Sequence, residues 1–211
     1  MILIGQYDSP FVRRVGVALT LYGMAFEHRP WSSFGDADRL RAYNPLTRVP
    51  VLVLEDGFVL TDSHMILDYL DGLVAEPLFP RTEPARHRVL KVAGLACGLA
   101  DKAVSLFYER AMHEAISPSF DARCRTQIGA VLAALESDLA GRAVSGQDKG
   151  PYWFGSLSHA DIAVGCAWRF VTEAHPGLID PASLPHLHRL SAALEALPAF
   201  QAHYQAFLPP T

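Results

Sequence analysis

The chain has no basic excess: Lys and Arg total 18 against 22 Asp and Glu, giving a formal net charge of −4 and a pI near 6.1. Without a cationic field to neutralise phosphates, nucleic acid and anionic membrane surfaces are excluded as partners. Long apolar runs are also missing. The longest uncharged one, Val15 to Phe26, is too short to cross the roughly 30 Å of bilayer hydrocarbon. Met1 to Phe11 lacks the basic start and apolar run of a secretion signal, so a cytoplasmic protein is expected. Cysteine is scarce. Cys97, Cys124 and Cys166 are far apart, odd in number and form no C-x-x-C pair, which points to buried free thiols and not to a disulfide framework or redox pair. The closest pair among nine histidines, His186 and His188, diverges on a helix. No metal site of three or more ligands can be composed from these spacings, and none is expected. Internal repeats and low-complexity tracts are absent as well.

What is present is apolar content, 50% of 211 residues, enough to bury the core of one large or two modest domains. Met1 to Gln6 is short and β-branched, and Val12, Val15, Leu19 and Tyr22 then recur at helical spacing and stop near Gly23. Phe26 to Pro30 reads as a second strand and Ala37 to Tyr43 as a short helix. Val49 to Leu54 and Phe58 to Leu60 flank an Asp-Gly turn and read as a hairpin. Ile66, Leu67, Tyr69 and Leu70 mark a further helix. This β-α-β-α-β-β-α order suits a small mixed sheet covered by helices. Pro77, Pro80 and Pro84 then punctuate a polar stretch that reads as a linker. Beyond it, Ala85 to Glu114 and Ala122 to Leu139 are long amphipathic runs, and Ser158 to Ala174, Leu184 to Leu197 and Ala199 to Phe207 add shorter ones. The expected organisation is an α/β domain over residues 1–76, a linker at 77–84 and an all-α bundle over 85–211.

Ser158-His159-Ala160-Asp161 has the spacing of a capping box, flanked by Leu157 and Ile162 as a hydrophobic staple. Its role is structural, and Asp161→Ala is expected to cost on the order of 1 kcal/mol while sparing any chemistry. Tyr152-Trp153-Phe154 reads as the anchor of the loop before it.

Three stretches of the first domain carry chemistry. In "YDSPFVRRV", Ser9 before Pro10 is a helix start: the hydroxyl accepts from an orphan amide, and proline at the first helical position loses nothing needed there. A hydroxyl at that point can also donate to an anion, a thiolate among them, at the positive end of the helix. In "NPLTRVPVLV", a cis bond before Pro50 would turn the backbone of Val49 outward, where it can pair with a peptide. In Thr61-Asp62-Ser63-His64, the Ser63 amide and hydroxyl sit where a carboxylate would bind, and Asp62 is placed to accept from an ammonium. An amino acid head group carries both charges.

Together with the helix through "LADKAVSLFYER" and the box "SHADIAVG", these motifs stand in the order of the cytosolic glutathione S-transferases. The chain resembles that family over its whole length, and its Ser9-Pro10-Phe11 triplet looks like the serine-type tau class or, with serine for cysteine, the omega class. The resemblance implies a thioredoxin-like N-terminal domain, an all-α C-terminal domain and glutathione as co-substrate. It assigns Ser9 as hydrogen-bond donor to the sulfur and Val49 as backbone partner of the cysteinyl part. Pro50 becomes the cis-proline, Asp62 and Ser63 hold the γ-glutamyl end, and Arg48 lies near the glycyl carboxylate. Tyr7 is a rival for Ser9, since other classes use a tyrosine near the end of the first strand. The family more often has glutamate where Asp62 stands.

A hydrophobic electrophile is implied between the domains, lined by Phe11, Phe107, Tyr108 and Met112 and closed by Trp168. Arg14 takes a structural place and Arg13 is expected at the surface, as is His64. The implied protein is a homodimeric transferase active in detoxification. Two alternatives stay open: a non-catalytic glutathione- or protein-binding relative, and an omega-like thiol transferase or reductase.

Overall fold

The computed structural model describes residues 1–144, 150–207 and 209. They divide into two compact units, one built from Met1–Pro77 together with the segment that begins at Pro198, the other from Leu78–Leu197.

The first unit is thioredoxin-like. Strands β1 (Ile2–Ile4), β2 (Glu27–Arg29), β3 (Val51–Val53) and β4 (Val59–Thr61) form one sheet in the order β2-β1-β3-β4. β1 and β2 run parallel, with α1 supplying the crossover that parallel neighbours need and Leu3 opposite His28. The β1–β3 and β3–β4 pairs are antiparallel, with Leu3 opposite Leu52 and Leu52 opposite Leu60. Helices α1 (Pro10–Leu21), α2 (Ala37–Arg41) and α3 (Ser63–Gly72) complete the expected order. α1 stops where Gly23 adopts φ +66°, and Met24 N–H reaches back to the Leu19 carbonyl at 3.0 Å, the closure a glycine permits after a helix. α1 and α3 are tied by a short hydrogen bond from the Tyr22 hydroxyl to buried Asp71.

The second unit is all helical: α4 (Ala85–Met112), α5 (Pro118–Val144), α6 (His159–Ala174), a 3₁₀ turn (Pro181–Ser183) and α7 (Pro185–Glu195). The capping box is present at α6. Asp161, fully buried, accepts from Ser158 N–H and Oγ–H at 2.9 and 2.7 Å and from Trp153 N–H at 2.6 Å. Trp153 in turn donates its indole N–H to Asp138 at 2.7 Å, so the aromatic triplet anchors the loop as expected. Glu136 of α5 caps α7, accepting from His186 N–H and Leu187 N–H, each at 2.9 Å. The three cysteines are buried and free. No described helix is long and apolar enough to cross a membrane.

Three expectations change. The stretch from Ala199, assigned by its periodicity to the bundle, belongs with the first unit: α8 (Pro198–Ala202) packs on α1, and His203 after it meets the Phe26 ring and the Arg13 side chain. Conversely, Leu78 and Phe79, placed in the linker, already belong to the second unit. The Leu78 carbonyl accepts from His159 N–H, and the Phe79 ring lies 4.4 Å from the His159 ring. Arg13 is not at the surface but 3% exposed, held by the returning segment through the Phe200 and His203 carbonyls at 3.0 Å each and by the Phe200 ring.

His203 is buried in that contact, and burial, with the charges of His28 and Arg13 facing it, pulls its pKa down to about 4. A neutral histidine in the fold that titrates near 6.5 when unfolded leaves stability unaffected above that pH. As pH falls from about 6.5 toward 4, the unfolded chain takes up the proton first and stability drops. Chemical denaturation from pH 7.5 to 5 should show the native chain losing ~1–2 kcal/mol more than a His203→Gln chain. Parallel curves would rule the effect out.

Candidate functional site

Residues 5–9 leave β1 and enter α1. Gly5 takes φ +129°, and a Cβ there would lie 2.5 Å from Val12 Cγ2 and 2.8 Å from Val49 Cβ, so only glycine lets the end of β1, the start of α1 and Val49 meet. Ser9 is the N-cap of α1. Its Oγ accepts from Val12 N–H at 3.4 Å, long for such a bond. The hydroxyl proton meets no acceptor among the described residues, and the half-buried side chain stands at the positive end of a twelve-residue helix.

Tyr7 is packed otherwise. Its ring stacks on His28 at 3.9 Å between centroids and meets His203 at 4.7 Å, and burial pushes its phenol up to about 12. The Tyr7 ring is thus held between two histidines, while the Ser9 proton stays uncommitted.

Val49-Pro50 is cis. The backbone N–H and C=O of Val49 pair with no described protein group, so both remain available to an extended peptide. The loop before it is held by Asn44, which is buried, accepts from Leu46 N–H at 3.0 Å and donates to the Arg48 carbonyl at 2.9 Å, with Thr47 at φ +53° between them. Arg48 itself is exposed.

Asp62 adopts φ +69° and caps α3, accepting from His64 N–H at 2.7 Å. A non-glycine residue in that region costs on the order of 1 kcal/mol or more and marks a place where the backbone serves something besides packing. Ser63 is buried at the first position of α3, and its Oγ accepts from Arg14 Nη1 at 3.4 Å. Arg14, 1% exposed, thus ties the Ser9 helix to the Ser63 helix. His64 is half-buried, not solvated as expected. Burial and then the Arg14 charge lower its pKa, with Asp62 opposing.

The family model of the glutathione S-transferase N-terminal domain matches residues 3–78, and that of the C-terminal domain matches residues 120–206. The chain belongs to the glutathione S-transferase family. It is 32% identical to the uncharacterised GST-like protein YibF of Escherichia coli, covering 90% of this chain and 91% of that protein. It is 27% identical to a glutathione S-transferase of Arabidopsis thaliana, covering 77% of this chain and 67% of that one. Among solved structures, a glutathione S-transferase of Methylobacterium radiotolerans in complex with glutathione sulfonate is 29% identical, with TM-score 0.89 over 100% of this chain and 97% of that one. A glutathione transferase family member of Pseudomonas fluorescens with bound glutathione is 32% identical, with TM-score 0.81 over 100% and 99%.

The residues that the family resemblance assigns to an electrophile site lie in different surroundings. Phe11 is half-buried on α1. Phe107 and Tyr108 meet at 5.9 Å on α4, where Tyr108 and Met112 are 37% and 63% exposed. The turn after them is held by carboxylates. Glu109 accepts from Ser117 N–H at 2.7 Å and from His113 Nδ1 at 2.8 Å, which lowers its pKa, and Asp121 is lowered by Arg110 and Arg125. Trp168 differs: it is 3% exposed, stacked on His188 of α7 at 6.4 Å, a core residue of the helical domain. Sequence reasoning passed over Gly5 and Asn44, although a glycine straight after a strand and an Asn-Pro turn were both legible signals. Among the described residues no group of three or more His, Cys, Asp or Glu could hold a metal ion.

Proposed function

We propose that this chain is a glutathione transferase that binds glutathione in its first unit and directs the sulfur, as a thiolate, onto an electrophilic small molecule. The observation that carries the reading is Ser9: an N-cap hydroxyl with an uncommitted proton at the start of α1, in the unit where Gly5 brings α1 against Val49. Val49 pairs through its free backbone groups with the cysteinyl part of the tripeptide, beside the cis Pro50. Ser63 and Asp62 take the γ-glutamyl carboxylate and ammonium, and Arg48 takes the glycyl carboxylate. The two solved relatives with glutathione or glutathione sulfonate bound support this choice of ligand.

The protein's part in the chemistry is to favour the charged sulfur. Ser9 Oγ–H donates to it, and the helix dipole adds to the donation, so the thiol proton leaves to solvent at lower pH. The sulfur lone pair then forms the new carbon–sulfur bond. In substitution the leaving group departs with its bonding pair; in addition the neighbouring carbon takes a proton from solvent. Exposed Tyr108 and Met112 on α4 offer an apolar surface to the body of the electrophile. Trp168 supports that helix layer from within. A thiol transferase working through a protein cysteine is disfavoured because Cys97, Cys124 and Cys166 lie buried on α4, α5 and α6 and serine stands at position 9. Exposed Phe58, Met65 and Leu73 on the hairpin and α3 favour a homodimer that covers them.

Retention on immobilised glutathione followed by a stopped assay with an aryl halide tests the reading. Retention with turnover is expected. Retention without turnover identifies a binding protein, and failure to be retained overturns the proposal.

A further inference from the structure

The backbone before Ser9 is held from the far end of the chain. β1 ends at Ile4, and Tyr7 N–H, which has no strand partner, donates to Gln205 Oε1 at 3.0 Å across 198 residues of sequence. The tight turn that follows closes through Ser9 N–H on the Gln6 carbonyl at 3.2 Å. The Tyr7 ring is clamped between His28 and His203, and Gly16 makes the room, since a Cβ there would lie 2.7 Å from Tyr7 Cε1. His28 in turn donates through Nε2 to the Gly5 carbonyl at 2.8 Å. The segment that supplies Gln205 is itself fixed: buried Arg13 donates to two of its carbonyls, and His203 Nε2 pairs with Thr20 Oγ1 at 2.6 Å. Every one of these contacts lies within the first unit.

We propose that Gln205 is a positioning residue: by holding the Tyr7 amide two residues before Ser9, it sets the direction in which the Ser9 hydroxyl points. This rests on the reading of Ser9 as the donor to the glutathione sulfur. The turn is tied at its two ends, by Gly5 N–H on the Arg29 carbonyl and by Ser9 N–H on the Gln6 carbonyl, and in its middle by the Tyr7 amide on Gln205, so freeing that amide lets the Gln6–Ser9 turn shift. A hydrogen bond to a thiolate weakens steeply with misdirection, whereas the contacts to the two ends of the tripeptide, at Val49 and Ser63, are untouched. The returning segment is thus part of the catalytic half of the molecule, although it follows the helical domain in sequence.

The test measures the apparent pKa of glutathione bound to each variant, from thiolate absorbance and from the pH profile of kcat/KM. Gln205→Leu removes the acceptor, Gln205→Asn withdraws it by one carbon with less change in polarity, and Gln205→Glu keeps an acceptor oxygen in place. The Leu and Asn variants should raise the apparent thiol pKa by about 1 and lower kcat about tenfold with KM for glutathione nearly unchanged, and the Glu variant should restore both. A purely structural role would reduce the active fraction without moving the pH profile. An unmoved pKa in the Leu and Asn variants, or an equal rise in the Glu variant, overturns the inference. Ser9→Ala in the same titration separates the two levels: if it leaves the pKa unmoved, the donor reading itself fails and this one falls with it, whereas a rise with Ser9→Ala alone sinks only the role of Gln205.

Discussion

Replacing Asp161 by alanine should destabilise the chain by about 3–4 kcal/mol, several times what the loss of a helix cap costs. In the fold the carboxylate is fully buried and accepts from two backbone amides, Trp153 and Ser158, and from the Ser158 hydroxyl. Alanine strands those donors away from water, and each unsatisfied buried group costs ~1–3 kcal/mol. The Trp153 amide matters most, because it anchors the loop whose indole reaches Asp138 on α5. For a chain of this size the loss corresponds to a fall in melting temperature of roughly 10 °C. Asparagine should lose less, since its carbonyl oxygen still serves Trp153, although its NH2 group then faces the Ser158 N–H and leaves that donor unpaired. Calorimetry on the three chains checks both the size and the order; a fall of under 3 °C for alanine would show that water replaces the carboxylate. Asp161 touches no proposed glutathione residue, so kcat of the folded fraction should stay within about twofold of the native value.

That site also shows how local the legible part of the sequence was. The capping box, the Ser9-Pro10 helix start, the glycine stop after α1 and the Asp-Gly hairpin each depend on residues within four positions of one another, and each appears where its pattern placed it. The cis bond before Pro50 was expected from the family resemblance, since a proline at a strand start does not by itself fix the isomer. What was not legible is long range. Arg13 looks like the solvated neighbour of Arg14 because nothing nearby pairs with it, and its acceptors are carbonyls 187 and 190 residues away. The last helix is amphipathic at the same period as those of the bundle, and periodicity says which face is buried, not against which domain. Trp168 fails for a related reason: an aromatic residue at helical spacing reads equally as wall or core, and its stacking on His188 of another helix decides for core. The Asp161 carboxylate was recognised as a cap, but its third donor, Trp153, comes from a loop that the box pattern does not contain.

Replacing Ser9 by alanine should lower kcat by about 10²–10³-fold while KM for glutathione changes less than about threefold. The asymmetry follows from the geometry. The backbone of Val49 and the head-group residues Asp62 and Ser63 hold the tripeptide whether or not its sulfur is charged, whereas the Ser9 hydroxyl interacts most strongly with the thiolate, the state that reacts. The bound thiol should therefore titrate higher in the variant, and turnover should recover in part as pH rises and bulk alkalinity supplies the ionisation that Ser9 no longer favours. The cap and donor roles separate in the same variant. The Oγ contact to Val12 N–H is long, 3.4 Å, so its loss should cost no more than about 1 kcal/mol, too little to unfold the chain and far too little to account for the loss of rate. Tyr7→Phe supplies the complementary test. It keeps the ring between His28 and His203 and removes only a phenol that burial holds protonated up to about 12. With Ser9 as donor its kcat stays within about twofold of native and the bound thiol titrates as before. The reverse pattern, a silent Ser9→Ala beside a crippled Tyr7→Phe, would move the donor to the tyrosine and leave Ser9 as a helix cap alone.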